Sequence, residues 1–570
     1  MDNQRPILYL ALAFLLFFIW QTWQTDHLQK QAPAKASTEQ TTAAPATPAA
    51  KPGEVPGPST ADMPPADETT PAKPKPATAS VPAEGQIIHV RTDLLDVEIS
   101  TRGGTLIKAQ LPTYPVSVEQ PDVPFVVLHE AGRAYVAQSG LISDQGKGNG
   151  LTVPNHHAVF QAQKLNYELA PGQNELRVPL TWRNADGMVV TKTYIFERDK
   201  FLIKLDTQVH NGSGRTWSGR QYRQLRHGEV VTHHSFTQPH TYSFTGAAYY
   251  EDGRYEKLAF DKMQENPLDK TLTGGWIAML QHYFLSAWVP AQDAKEKYYT
   301  RVLGKGDDAQ YMIGLLSPSH TVAPGQNAVF KAELYVGPKV QKRLEAIAPG
   351  LELTNDYGIF TFLAKPIFWL MVHIHKIVGN WGWSIILLTV LIKLAFFKLS
   401  ATSYRSMARM RAMQPKIAAI KERLGDDRSA LGQATMELYK KEKINPLGGC
   451  LPIVVQIPVF IALYWVLLES VELRQAPFMF WINDLSVKDP YYVLPVIMGV
   501  TMFLQQRLNP PQIDPMQQKI MMIMPVAFTF FFAFFPSGLV LYWLTNNILS
   551  IAQQWVITRK IERDMELKRR

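Results

Sequence analysis

A chain of 570 residues with 46% hydrophobic residues, a net charge of +9 and one cysteine has room for several structural units but no internal disulfide. Its bases gather beside apolar runs rather than in a nucleic-acid-binding motif, so the positive charge points to a membrane surface. It carries no P-loop and no zinc-ligand spacing, which excludes ATP-driven transport and a structural zinc site.

Residues 1–24 hold an apolar run behind Arg5. A cleavable signal exits through small residues; this run exits through Trp20-Gln21-Thr22-Trp23 and reads as an uncleaved signal anchor and first span. Residues 25–85 are rich in Pro, Ala, Thr and Lys, lack periodicity and have too few large apolar groups to offset ordering, so they read as a disordered tether. Residues 86–345 change texture. Short alternating runs, such as 89–99 and the pair flanking Asn184-Ala185-Asp186-Gly187, are separated by turn signals, with Gly103-Gly104 marking a tight turn. Strands at this density predict an all-β sandwich. His156-His157 and His233-His234 are adjacent pairs; strand neighbours point to opposite faces, so they make poor paired metal ligands.

Apolar runs return over 383–398, 446–470, 491–507, 519–535 and 538–557, near the length of membrane helices. Lys and Arg mark cytoplasmic loops. The loop 399–445, with Arg405, Arg409 and Lys440 among its bases, and the tail 558–570 are strongly basic, while the loop 471–490 carries only Arg474 and Lys488. Counting 354–378 as a further span would put the basic loop outside, so that segment is assigned to the outer interface as an amphipathic helix. The reading is a polytopic α-helical membrane protein of six spans, both termini cytoplasmic, with a large all-β periplasmic domain after the first span. The apolar stretches 491–504 and 520–535 cover roughly 21 and 24 Å at about 1.5 Å per residue, against a hydrocarbon core of about 30 Å; local thinning and misplaced ends both account for that.

Within 399–445, Met407, Met410, Met413, Ile417, Ile420 and Leu424 recur at helical spacing. They predict one amphipathic helix stopping at Gly425-Asp426-Asp427 and a second over about 429–441, a cytoplasmic helical hairpin. The third span opens on Asn445-Pro446, a capping pair; Pro452 and Pro458 should kink it. Cys450 reads as a small packing residue.

Lys393 lies inside the apolar run 384–397. A charge near the bilayer centre costs at least ~2.5 kcal/mol, and no acidic partner stands in the other spans. Two readings stay open: a lone positive charge in a hydrated groove that attracts an acidic client segment, or a lysine snorkelling to the cytoplasmic face near Lys398. Thr389 lies one turn before Lys393 on the same face. Gln456 is polar within 446–470, and Thr545, Asn546, Asn547, Ser550, Gln553 and Gln554 mark the last span. In lipid such groups bond one another or water.

Four stretches in order resemble the YidC family of bacterial membrane protein insertases: Asn380-Trp381-Gly382-Trp383-Ser384, Asn445-Pro446-Leu447-Gly448-Gly449-Cys450, Val471-Glu472-Leu473-Arg474-Gln475-Ala476-Pro477-Phe478 and Phe535-Pro536-Ser537-Gly538-Leu539. Met1-Asp2-Asn3-Gln4-Arg5 and Trp276-Ile277-Ala278-Met279-Leu280-Gln281-His282-Tyr283-Phe284 resemble its longer Gram-negative form. The resemblance implies a five-helix core around a hydrophilic, positively charged groove, a periplasmic β-supersandwich and residence in the inner membrane. It implies insertion and folding of membrane proteins, alone or with the Sec translocon, without cofactor or enzymatic chemistry. The family's groove charge, usually arginine, falls on Lys393, which keeps the charge but not the planar fork. Substrate-contact positions fall on Thr389, Phe460 and Trp543; Gln456, Asn546 and Asn547 are the expected polar groups of the groove. Expected partners are nascent membrane proteins and the Sec translocon, with the basic loop and tail suited to anionic lipid and the ribosome and no direct binding of nucleic acid. The rival expectations are a small-molecule transporter, which calls for repeats among the spans, and a membrane-tethered periplasmic sugar-binding protein acting through 86–345.

Overall fold

The computed structural model describes residues 85–144, 151–228, 243–424, 428–442, 444, 451–508 and 515–569. The signal anchor, nearly all of the linker, His233-His234, the helix stop at Gly425-Asp426-Asp427, and the span opening at Asn445-Pro446 with Cys450 lie outside them.

Alternation builds the β region. The strand Leu202–Asn211 turns Ile203, Leu205, Thr207 and Val209 inward and pairs antiparallel with Met188–Glu197 and Asn327–Pro338. Twenty strands, among the described residues, form sheets of eleven and nine. One core lies between them, with Val190, Leu205 and Leu334 from the smaller sheet and Leu106, Ala137, Leu225 and Ile313 from the larger. Polar groups tie the layers together: the Tyr135 hydroxyl donates to the Met279 carbonyl at 3.1 Å, and Gln221 Nε2 donates to the Thr207 hydroxyl at 2.9 Å.

The hairpin at Asn184-Ala185-Asp186-Gly187 forms as expected. Asn184 Oδ1 accepts from the Met188 amide at 2.8 Å, and Gly187 takes φ +90° between the strands Glu175–Arg183 and Met188–Glu197. Gly103 and Gly104, at φ +74° and +64°, make the expected turn. The run 89–99 is two strands rather than one. Ile87–Arg91 and Asp96–Ser100 pair as a hairpin, because the Thr92 hydroxyl accepts from the Leu95 amide at 2.9 Å and closes a turn that alternation does not register.

The strand Asn327–Pro338 leads through a short helix α1 (Gln341–Glu345) into the helical region. Its helices are α2 (Thr361–Val378), α3 (Trp381–Ala395), α4 (Phe397–Ala412), α5 (Gln414–Leu424), α6 (Arg428–Lys441), α7 (Leu451–Glu469), α8 (Val493–Leu508), α9 (Pro515–Phe532) and α10 (Ser537–Arg569). A second core joins Ala364, Phe368 and Met371 of α2, Ile385 and Leu388 of α3, Ala462 and Val466 of α7, Met498 of α8 and Val540 of α10.

The helices depart from expectation in several places. Residues 407–424 are not one helix: α4 ends at Ala412 and α5 starts anew at Gln414, because Pro415 has no amide to donate to the Arg411 carbonyl and its ring crowds that carbonyl. α3 and α4 are bent by 68° about Phe396. Pro458 lies inside α7, where its ring removes a helical amide donor. α10, with 33 residues, is roughly 50 Å long and carries the apolar run 538–557 unbroken into the basic tail. By length and composition, Gly358–Val378 is the one described helix that reaches a membrane span unaided; α3 with α4 makes a second if the bent pair is one span. The segment assigned to the interface buries one apolar side and exposes large apolar groups together with Lys376 on the other. Ala364, Phe368 and Met371 pack inward, while Phe362, Trp369 and Ile377 stay exposed.

Candidate functional site

On α10 the residues Trp543, Asn546, Ser550 and Gln553 recur at three- and four-residue spacing, so one side of the helix carries them all. Polar groups on an otherwise apolar helix need partners, and α3, α4, α7 and α8 supply them. Lys393 Nζ of α3, half-buried, donates to Ser550 Oγ at 2.8 Å, and Ser550 Oγ donates on to the Asn546 carbonyl at 2.6 Å. Gln456 Nε2 of α7 donates to Asn546 Oδ1 at 2.8 Å. Asn547 Nδ2 donates to Thr501 Oγ1 of α8 at 3.4 Å, and Gln553 Nε2 to the Phe397 carbonyl at the start of α4 at 3.3 Å.

An aromatic layer borders this polar seam. The Phe460 ring of α7 meets Trp543 edge-on at 4.7 Å and stacks toward Tyr542 at 6.0 Å. Phe532 and Phe528 of α9 lie 5.1 and 6.4 Å from Trp543. Phe460 and Trp543 are both half-buried, so their rings keep a surface that a third group can cover.

Six of the seven expected site residues therefore meet along α10: Lys393, Gln456, Phe460, Trp543, Asn546 and Asn547. Thr389 does not join them. It is buried, and its hydroxyl donates back to the Ile385 carbonyl at 2.7 Å. The bend about Phe396 also removes the straight helix along which Lys393 would reach toward Lys398; its ammonium is turned to α10 instead. Sequence reasoning did not single out Ser550 as the acceptor for Lys393 or Thr501 as the partner of Asn547. The heptad-like spacing of 543, 546, 550 and 553 was the available signal for the first; nothing in the sequence marks the second. Among the described residues no three His, Cys, Asp or Glu side chains gather as a metal site.

A family model described as the YidC periplasmic domain matches residues 87–370, and one described as 60Kd inner membrane protein matches 373–564. The membrane protein insertase YidC of Thioalkalivibrio sulfidiphilus (strain HL-EbGR7) is 56% identical over 569 residues, covering 99% of each chain. That of Nitrosococcus oceani is 48% identical over 569 residues, covering 99% of this chain and 100% of the relative. A crystal structure of an active YidC insertase with its first transmembrane domain resolved aligns over 82% of this chain and 94% of that one at 17% identity and a TM-score of 0.36, too low to add to the argument. The β sandwich and the helical region each fall under one of the two matching family models, and relatives agree along nearly the whole length: this chain belongs to the YidC family of membrane protein insertases.

Proposed function

We propose that this chain inserts and folds integral membrane proteins in the bacterial inner membrane by lending a client's polar segment the seam beside α10, with Lys393 as its positive pole. The observation that carries the reading is the state of that ammonium. Lysine has three protons to donate, and among the described residues Ser550 takes one and no carboxylate is paired with it. The remaining donors suit water or an acidic client group. Held this way the charge does not need a resident acid, whose presence would compete with the client.

In this mechanism an incoming hairpin places its polar part against Lys393, Gln456, Asn546 and Asn547, and its apolar part against Phe460 and Trp543. Polar groups then cross part of the bilayer without losing hydration, which removes the largest cost of translocation. Transfer of the apolar part into lipid, worth about 25 cal/mol per Å², drives the step. Thr389, buried against Ile385, contacts a client only if α3 turns. The topology we propose keeps six spans and cytoplasmic termini, with the sandwich in the periplasm and α2 in the outer interface, because the basic residues of α4, α5 and α6 and of the end of α10 then stay on one side. The same bases suit anionic lipid and the ribosome, and the Sec translocon is the proposed partner for larger clients.

Insertion of a small client with an acidic translocated tail tests the charge. Lys393→Arg should insert at least half as well as the wild type, and Lys393→Glu should lose tenfold or more. Equal insertion by all three forms refutes the role of Lys393.

A further inference from the structure

The loop from α7 to α8 ends in an aromatic tip that the insertion seam does not use. Phe480 is 81% exposed and Tyr491 is 70% exposed, with Met479 and Tyr492 beside them. Between residues 477 and 492 the exposed charge, among the described residues, is Lys488; Asp489 is fully buried and Asp484 is half-buried and bonded to Ser486.

This tip is rigid. Phe480 has φ +56°, and Gln475 and Tyr492 have +57° and +58°, backbone that non-glycine residues adopt only where surrounding contacts hold it. Those contacts are present. The Phe478 amide donates to the Ile482 carbonyl at 2.9 Å, and Trp481 Nε1 donates to Asp489 Oδ1 at 2.9 Å. Asn380 Nδ2, at the head of α3, donates to the Pro477 and Phe478 carbonyls at 3.1 Å each. The Phe478 ring lies so close to Gly382 that a Cβ there would fall 2.0 Å from it.

The tip is also continuous with two exposed apolar stripes. On α3, Trp383, Leu387, Leu391 and Leu394 are exposed at helical spacing, and Phe478 meets Trp383 edge-on at 5.6 Å. On α8, Val496, Val500, Phe503 and Leu504 are exposed, directly below Tyr491 and Tyr492. Aromatic side chains concentrate where hydrocarbon meets headgroups, and Lys488, its Nζ 5.7 Å from the Tyr492 ring centroid, is placed to reach a phosphate.

We propose that this loop is an interfacial anchor: Phe480 and Tyr491 are buried at the headgroup boundary of the outer leaflet, setting the depth of α3 and α8 in the bilayer. The inference rests on the reading of α3 and α8 as spans. It is tested with the full chain carrying Cys450→Ser, reconstituted in vesicles of phosphatidylethanolamine and phosphatidylglycerol. Phe480→Cys, Tyr491→Cys, Asn483→Cys and Val500→Cys are labelled singly with a nitroxide, and collision with oxygen is compared with collision with a water-soluble nickel chelate. Sites 480 and 491 should be oxygen-rich like Val500, with nickel access at least fivefold below Asn483. Nickel access at 480 and 491 equal to that at 483, with Val500 still oxygen-rich, overturns the anchor alone. Nickel access at Val500 overturns the span reading, and the anchor with it. Tyr491 serves as the independent site if the Phe480 variant misfolds.

Discussion

Two lysines, one buried and one half-buried, show how differently one side chain can be used. Lys192, between the sheets, is fully buried and donates to the Gly103 carbonyl at 2.6 Å, the Ser139 carbonyl at 2.8 Å and the Ser139 hydroxyl at 2.9 Å. All three of its donors are spent, so it is a structural cross-tie. Lys393 bonds one hydroxyl and keeps the rest for other company. Burial pulls the Lys192 ammonium down to about 7, while in the unfolded chain it titrates near the usual lysine value of about 10.4. From pH 7 to about 10 the folded state therefore holds fewer protons at this residue, and the sandwich gains stability as pH rises. Lys192→Met removes that slope. Hydrogen exchange of the Met188–Glu197 strand should slow with pH, after correction for intrinsic rates, in the wild type relative to the variant, and identical pH profiles would refute the assignment. Alternation of Met188, Val190, Tyr194 and Phe196 already puts position 192 on the inward side. That its acceptors are Gly103 and Ser139 comes from other strands and is invisible locally.

At the scale of elements, ends and breaks carry the specificity. α8 is held at its start by Asp489, whose carboxylate accepts from the Tyr491 amide at 3.0 Å, the Leu494 amide at 2.7 Å and Trp481 Nε1 at 2.9 Å. Removing a buried acceptor strands its donors and a helix start. Asp489→Ala should cost about 2 kcal/mol and raise exchange of the 491–494 amides by tenfold or more; an unchanged rate there would show that the cap is dispensable. Asp489→Asn keeps an acceptor and should fall between. The same scale separates what pattern reading catches from what it misses. Apolar length set the ends of α3, α8 and α9 to within a few residues, since it is a local property. It ran one helix across 407–424 because the apolar spacing continues through Pro415, and it ran one strand across 89–99 because a threonine side chain closes the turn.

The whole molecule is joined through the loop that follows α7. Val471 belongs to the sandwich core. Arg474 Nη2 donates to the Pro115 and Val116 carbonyls at 2.6 and 2.8 Å, with its guanidinium 5.6 and 5.5 Å from the rings of Phe125 and Phe284. Gln475 Nε2 donates to the same Pro115 carbonyl at 2.9 Å, and His282 Nε2 lies 2.9 Å from the Leu468 carbonyl at the end of α7. The sandwich is thus seated on the helix that carries Gln456 and Phe460. Arg474→Ala should loosen that seat: exchange of the far end of the strand Thr105–Ser117 should rise by fivefold or more, with the sandwich interior unchanged. Arg474→Lys, which keeps the charge but neither the double bond nor the flat stacking, should give an intermediate rise. No change in either variant would place the hold elsewhere in the joint.

Composition, charge placement and period were enough to divide the chain into an apolar helical region and an alternating β region, and to find the odd lysine, because each depends on what a residue's near neighbours are. Pairing was not within their reach. Which strand adjoins which, that Ser550 receives Lys393, that Thr389 turns back into its own helix and that Arg474 grips Pro115 all join residues distant in the chain. Such contacts are set by how whole surfaces pack, and no local pattern encodes them.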